Sequence, residues 1–178
     1  MTYFAPTAPM DTEPADTSWF GDTLVQSDAT EWAQRSTLFP SQWVSMVAAF
    51  GDTGGLVSGD ELVDLIRAQC KHGLPAHAFQ PVSLVARWVA SRTVVVINSP
   101  WGPVMPLFQF DVPRASVLPG VQLALGELRD VLNDEELALW FVTPNEWLDG
   151  QRPAYALKTK LRAVRHAARA DRVVALGG

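Results

Sequence analysis

The sequence predicts a mainly helical fold with a small β-hairpin, which is an α+β arrangement. In several segments between 40 and 170, apolar residues recur three or four positions apart, the spacing of an amphipathic helix. The stretch 93–98 is β-branched and apolar, and a turn with proline and glycine separates it from a second apolar run, 104–110. That pattern is typical of a hairpin. With 178 residues, of which 48% are hydrophobic, the chain is long enough for one sizeable domain or two small ones.

The composition excludes several classes of protein. Mean hydropathy is +0.06, and no apolar run approaches the roughly 18 residues that span a bilayer. The N-terminus is acidic and contains prolines, unlike a secretory signal, so we expect a cytoplasmic protein that does not bind membranes. Cys70 is the single cysteine, which excludes an internal disulfide and any multi-cysteine metal site.

The charge is distributed unevenly and suggests three parts. Residues 1–35 carry six acidic and one basic side chain, and few of their apolar residues are periodic, so we expect a disordered acidic arm. The second part, 36–112, holds a helical segment with a helix-turn-helix-like pair and the hairpin, and the third, 113–178, is helical. We expect these two parts to share one core.

Within the third part, an acidic segment precedes 151–178, which carries one acidic and seven basic residues. The basic residues either form a solvated face or attract an acidic partner or a phosphate-bearing ligand.

Three helices are predicted before the hairpin. The first follows Ser41 as N-cap, with an apolar face of Trp43, Val44, Val47 and Phe50. The second begins with the capping-box spacing of Ser58 and Glu61, and the third begins at Pro81. We expect the glycine-rich stretch 51–59 to be a connector, because it lacks the ending of a phosphate-binding loop.

The second and third helices with the hairpin have the order of a winged helix-turn-helix. On the helix from Pro81 and on the hairpin, which would contact the DNA, only Arg87 and Arg92 are suitable basic residues, whereas a protein that binds duplex DNA needs several phosphate contacts. DNA binding is therefore the alternative function. Pro106 predicts that the second hairpin strand is an edge strand or is broken there. Trp101 at the turn either contacts a protein or folds back onto the core.

After the hairpin we expect a helix over 117–132 with Val121, Leu125, Leu128 and Leu132 on its buried side. A second helix follows a cap at Asn133 or Asp134. A long helix is then expected over 153–170, with Leu157, Leu161, Val164 and Ala168 on its apolar side.

The stretch 137–156, LALWFVTPNEWLDGQRPAYA, joins these helices. Thr143 before Pro144 is typical of an N-cap with proline at the first helical position. Trp140 and Trp147 are expected at the junction of the helices, either as core residues or as part of a docking face for another protein.

This stretch also carries a resemblance to a known family. Its Asn145, Leu148, Gly150, Pro153 and Leu157 match the "pN..L.G..P...L" segment that follows a tryptophan-led helix in the toxin-binding domain of bacterial Xre/MbcA/ParS-type antitoxins. The match covers about a third of the chain. The resemblance implies a RES-type, NAD-degrading toxin as partner, whose active-site entrance the helical domain would cover. Homodimers and binding of operator DNA are further expectations, because many such antitoxins form dimers and repress their own operons.

No sequence motif indicates an enzyme. A nucleophile elbow, a phosphate-binding loop and a metal motif are all missing from the sequence, and His72 and His77 have no second ligand at metal-site spacing. We therefore expect a binding protein without a cofactor. The residues expected to contact its partner are Trp140, Asn145, Trp147, Leu148, Gly150, Arg152, Pro153, Arg162, Arg165, Arg169 and Arg172.

Overall fold

The structure, a computed structural model, describes residues 40–70 and 80–177. It confirms the predicted class, mainly helical with small antiparallel sheets. The helices within the described ranges are α1 (Pro40–Phe50), α2 (Gly59–Gln69), α3 (Pro81–Ala90), α4 (Pro119–Leu128), α5 (Asp134–Val142), α6 (Pro153–Ala156) and α7 (Leu161–Gly177). None of them is long and apolar enough to span a membrane. The acidic arm 1–35 and the two loop histidines lie outside the described residues.

The predicted hairpin is present and belongs to a three-stranded sheet. Strands β2 (Ile97–Ser99) and β3 (Gly102–Pro106) pair antiparallel, and β1 (Leu56–Ser58) pairs with the other side of β3. Part of the stretch predicted as a connector is therefore a strand. Two glycines with positive φ, Gly54 at 99° and Gly55 at 80°, turn the chain into β1.

Of the two alternatives predicted at Pro106, the break is confirmed, because the strand ends there, and the edge position is wrong. Strand β3 is central, and Pro106 is its last residue, opposite Leu56. Proline has no N–H to donate, and the next donor along the chain, Leu107 N–H, bonds the Gly55 carbonyl at 3.0 Å. A 3-10 helix (Leu107–Gln109) follows in place of the strand predicted up to residue 110.

Gln109 explains why the predicted strand 93–98 begins only at Ile97. Its fully buried side-chain amide accepts from Val95 N–H at 2.7 Å and donates to Val95 C=O at 3.0 Å and Pro106 C=O at 3.2 Å. A side chain thus satisfies backbone groups that a neighbouring strand would otherwise pair. Beyond it, β4 (Phe110–Asp111) pairs with β5 (Ser116–Val117).

The first helix buries two of the four residues predicted on its apolar face, Trp43 and Phe50, but not Val44 and Val47. Trp43, Met46 and Phe50, spaced by three and four residues, are buried, whereas Val44 is 67% and Val47 42% exposed. The helix begins at Pro40, one residue before the predicted cap, because the fixed φ of proline suits a first helical position.

The capping predictions for two other helices are confirmed. Ser58 and Glu61 form a capping box at the start of α2, and the backbone N–H of Ser58 lowers the pKa of the Glu61 carboxyl. Asn133 and Glu136 form a second box at the start of α5.

The C-terminal helices differ from the prediction in their bounds. Helix α4 begins at Pro119 because the preceding residues pair with β4, and its predicted core residues Val121, Leu125 and Leu128 are buried. The long helix predicted over 153–170 is broken into α6 and α7, and α7 continues to Gly177. Leu157 lies in the break and is buried, while Leu161 is 37% exposed.

One hydrophobic core connects both predicted parts of the chain. Its buried residues run from Trp43 to Ala168 and come from both 36–112 and 113–178. The largest helix contact joins α4 to α7, where Ala124, Ala167 and Ala168 are fully buried. These small side chains let the two helices approach closely.

Candidate docking face

A single carboxylate, that of Asp171 in α7, accepts hydrogen bonds from three side chains of the stretch 137–156, which is called the corner below. Oδ2 of Asp171 accepts from the indole Nε1 of Trp140 at 2.7 Å and from the amide Nδ2 of Asn145 at 2.7 Å. Its other oxygen, Oδ1, accepts from the indole Nε1 of Trp147 at 3.1 Å. Three residues of the predicted site, which belong to α5, a loop and a 3-10 helix, thus converge on a fourth residue that we did not predict.

Asn145 also shapes the turn that carries Trp147. Its Oδ1 accepts from Trp147 N–H at 3.0 Å and caps the 3-10 helix Glu146–Leu148. Its backbone C=O accepts from Leu148 N–H and Gly150 N–H, both at 3.0 Å. Asp149 and Gly150 have positive φ values of 57° and 76°, which close the turn.

The predicted N-cap at Thr143 is wrong. Thr143 ends α5, and its hydroxyl donates back to the Leu139 carbonyl at 2.8 Å. The helix start lies two residues later because the Asn145 side chain reaches a free N–H at that position.

The two tryptophans of the corner have different surroundings. Trp140 is partly buried, and its ring packs edge-on against that of Phe141 at 5.0 Å. Trp147 is 53% exposed, with its ring 6.0 Å from that of His166. Of the two, Trp147 therefore offers the larger surface to a partner.

The end of α7 is an exposed apolar surface. Val173, Val174 and Leu176, in the last turns of the helix, are 65–67% exposed. Trp147 together with these three residues is called the C-terminal face below. Large apolar side chains exposed in a group are typical of interaction sites.

The arginines of α7 fall into two pairs. Arg165 Nε and Arg169 Nη2 both bond Glu127 Oε1 of α4, at 3.1 and 3.2 Å. The hydrogen bond from Arg165 is the main reason that the pKa of Glu127 lies below its ordinary value, and burial opposes this effect. Arg162 and Arg172 have no ion-pair partner within 40–70 and 80–177. These two are therefore the arginines that remain available to a partner.

Burial corrects the predicted site at three positions, one of which is Asn145, whose 9% exposure leaves it little surface for a partner. Leu148 is only 3% exposed and Pro153 is also buried, so neither offers a surface to a partner. Both belong to the core beneath the corner. Arg152 Nη1 pairs with Asp52 Oδ2 at 3.3 Å. This ion pair joins the corner to the 3-10 helix Gly51–Thr53 that follows α1.

The helix-turn-helix-like region offers little positive charge. Helices α2 and α3 pack together and the hairpin follows them, as predicted. Arg87 is exposed, but Arg92 pairs with Asp134 at 3.7 Å. Trp101 at the hairpin tip is 82% exposed, although one edge contacts the ring of Trp43 at 6.4 Å. DNA binding through residues 58–110 remains a prediction, and its test is an affinity for duplex DNA that falls steeply with salt.

Comparisons with protein-family models, curated proteins and solved structures find no match to this chain. Within the described residues there is also no group of three or more side chains suited to hold a metal ion.

Asp171 had a signal in the sequence that could have pointed to it. It is the only acidic residue among the last 28, in a helix otherwise rich in arginine. A lone carboxylate in a basic segment suggests a specific partner. Its partners could not be read from the sequence, because they are 24 to 31 residues away.

Proposed function

We propose that this protein is an antitoxin-like binding protein that neutralises a RES-type, NAD-degrading toxin by covering its active-site entrance. Two lines of support are combined. The resemblance of residues 145–157 to the toxin-binding segment of Xre/MbcA/ParS-type antitoxins supplies the class of partner. The anchoring of the half-exposed Trp147 by Asp171 is the structural observation that carries the proposal.

This anchoring matters because a rigid aromatic side chain loses little conformational entropy when a partner covers it. Tryptophan and arginine dominate the binding energy of many protein interfaces. In this corner Asn145 and Asp171 hold the backbone and the indole of Trp147, so the ring is placed before binding.

The neighbouring side chains suit a protein partner better than a small ligand. Trp147 bonds Asp171 near the end of α7, and the exposed Val173, Val174 and Leu176 lie on the last turns of that helix. Arg162 and Arg172 belong to the same helix. An apolar centre with arginine beside it resembles the anatomy of protein interfaces. We expect the complex to form in the cytoplasm of a bacterial cell, where NAD is available to the toxin.

The experiment is a pull-down of the tagged, full-length protein from its native host, with mass spectrometry and an NAD-degradation assay on the co-purified protein. We expect a RES-type protein that is silent in the complex and active after this chain is removed. Trp147→Ala should raise the concentration needed for half-inhibition by about thirtyfold, the loss expected for a hot-spot residue.

Trp101→Ala is the matched control, because it removes another exposed tryptophan, which lies at the hairpin tip and packs against Trp43. It should leave inhibition within about twofold of wild type if the hot spot is Trp147. Absence of any NAD-degrading partner would refute the proposed function. Inhibition that is unchanged in a folded Trp147→Ala protein would refute the proposed face.

A further inference from the structure

A cleft separates the end of α1 from the C-terminal corner. Its volume is about 400 Å³, and it opens to solvent. It is lined by Asp52 and Thr53 of the 3-10 helix after α1, and by Ala154, Tyr155 and Lys158 of the C-terminal part. Ligand sites in proteins typically measure about 300–1,000 Å³, so the cleft is large enough for a small organic molecule.

The cleft is lined by both polar and apolar residues. Leu107, Phe108, Phe110 and Leu118 line it. Phe110 and Leu118 are 5% and 6% exposed, and the ring of Phe108 packs 5.1 Å from that of Phe141 in the core. Phe110 and Leu118 therefore support the floor of the cleft from the core, and the apolar surface open to a ligand comes from Leu107 and Phe108, which are partly exposed.

The polar groups of the cleft leave one charge uncompensated. Asp52 and Arg152 neutralise each other as an ion pair of 3.3 Å. The ammonium group of Lys158 and the hydroxyl of Tyr155 have no hydrogen-bond or ion-pair partner in the part of the chain that the structure describes. Both groups can donate hydrogen bonds, and both belong to the C-terminal part that lines the cleft.

We propose that this cleft binds a small amphipathic carboxylate with an aromatic or branched apolar body. The body packs against the partly exposed side chains of Leu107 and Phe108, where it loses contact with water. The carboxylate accepts hydrogen bonds from Lys158 and Tyr155, since a charged acceptor is the natural partner of an unpaired ammonium. This site is independent of the toxin-binding proposal, because Trp147 and the end of α7 do not line the cleft.

The test uses 3-phenylpropanoate as the probe and the full-length protein, with binding followed by amide chemical shifts in NMR. We expect saturable shifts at Thr53, Phe108, Ala154 and Tyr155, and none at Val173 or Val174. The uncharged 3-phenylpropanamide should bind about tenfold more weakly, because it has the same body without the charge.

Two variants with matched controls test the cleft itself. Lys158→Gln should weaken binding of the carboxylate about tenfold and leave binding of the amide unchanged. Lys160→Gln is the control, because Lys160 is an exposed lysine that bonds Gln151 and does not line the cleft. Ala154→Leu should fill the cleft and weaken both probes.

Two results would contradict the proposal, one its anionic ligand and the other its site. Equal affinity for carboxylate and amide would overturn the assignment of an anionic ligand. Shifts confined to the C-terminal face, or absent altogether, would overturn the site. The shifts are measured on the wild-type protein, so this outcome does not depend on whether Ala154→Leu folds.

Discussion

At the scale of single residues, Asp171 is the most informative side chain of the protein. It accepts three hydrogen bonds from two indole N–H groups and one amide, at 2.7 to 3.1 Å. The three donor side chains have lost part of their contact with water in the folded protein. A carboxylate is suited to this role because its two oxygens can accept several bonds at once.

Asp171→Ala should therefore destabilise the protein. The change leaves the indole of Trp140 and the amide of Asn145, which is only 9% exposed, without an acceptor. A buried polar group without a partner costs about 1–3 kcal/mol, so we expect the free energy of unfolding to fall by about 2 kcal/mol. Urea denaturation followed by circular dichroism measures this loss.

Asp64→Ala is the control for this prediction. Asp64 is an exposed carboxylate that pairs only with Arg67, one turn away on the same helix. Its removal should change the free energy of unfolding by less than about 0.5 kcal/mol. Equal stability of the two variants would show that the Asp171 hydrogen bonds contribute nothing.

At the scale of elements, the packing of α4 decides where the C-terminal helices lie. A Cβ atom built on Gly120 would lie 2.8 Å from the Leu157 carbonyl oxygen and 3.1 Å from its Cα. The chain between α6 and α7 therefore passes directly over the start of α4, and only glycine leaves room for it. The close contact of Gly120 with Leu157 occurs where the helix predicted over 153–170 is broken.

Gly120→Ala and Gly126→Ala form a matched pair, because both glycines belong to α4. At Gly120 the added methyl group meets backbone that cannot move freely, and we expect a loss of about 1–3 kcal/mol. At Gly126 there is no atom within 4 Å of the added group, and alanine should raise stability by about 0.5–1 kcal/mol. Thermal unfolding of both variants measures the difference. A loss of similar size at both positions would contradict the close approach at Gly120.

At the scale of the whole molecule, the predicted boundary near residue 112 does not separate two cores. Strands β4 and β5 pair across it, and Leu118 N–H donates to the Gln109 carbonyl at 2.8 Å. Phe108 of the first part packs on Phe141 of the second. Each part alone would expose apolar surface that the other now covers.

We therefore expect both parts to unfold together. Leu62→Ala removes a fully buried side chain in α2 and should cost about 2–5 kcal/mol. Native-state hydrogen exchange should then show the same loss of protection for slow amides in α2 and in α4. Val44→Ala, at a position 67% exposed, should change neither. Unchanged protection of α4 in Leu62→Ala would mean that the two parts unfold separately.

The sequence by itself determined the fold class, the hairpin, the capping box of Ser58 with Glu61 and a helix cap at Asn133 or Asp134. These features depend on residues a few positions apart, such as Ser58 with Glu61, and their physical causes act locally. It also singled out Trp147 and Asn145, although it did not distinguish a buried role from an exposed one.

Only the tertiary structure decided the features that join distant residues. The buried face of α1, the central position of β3 and the break before α7 depend on which neighbours pack against each element. The same holds for Asp171, whose three donors lie 24 to 31 residues earlier in the chain. Helical periodicity and capping are fixed by local backbone geometry, whereas packing and long-range hydrogen bonds depend on the folded arrangement of the whole chain.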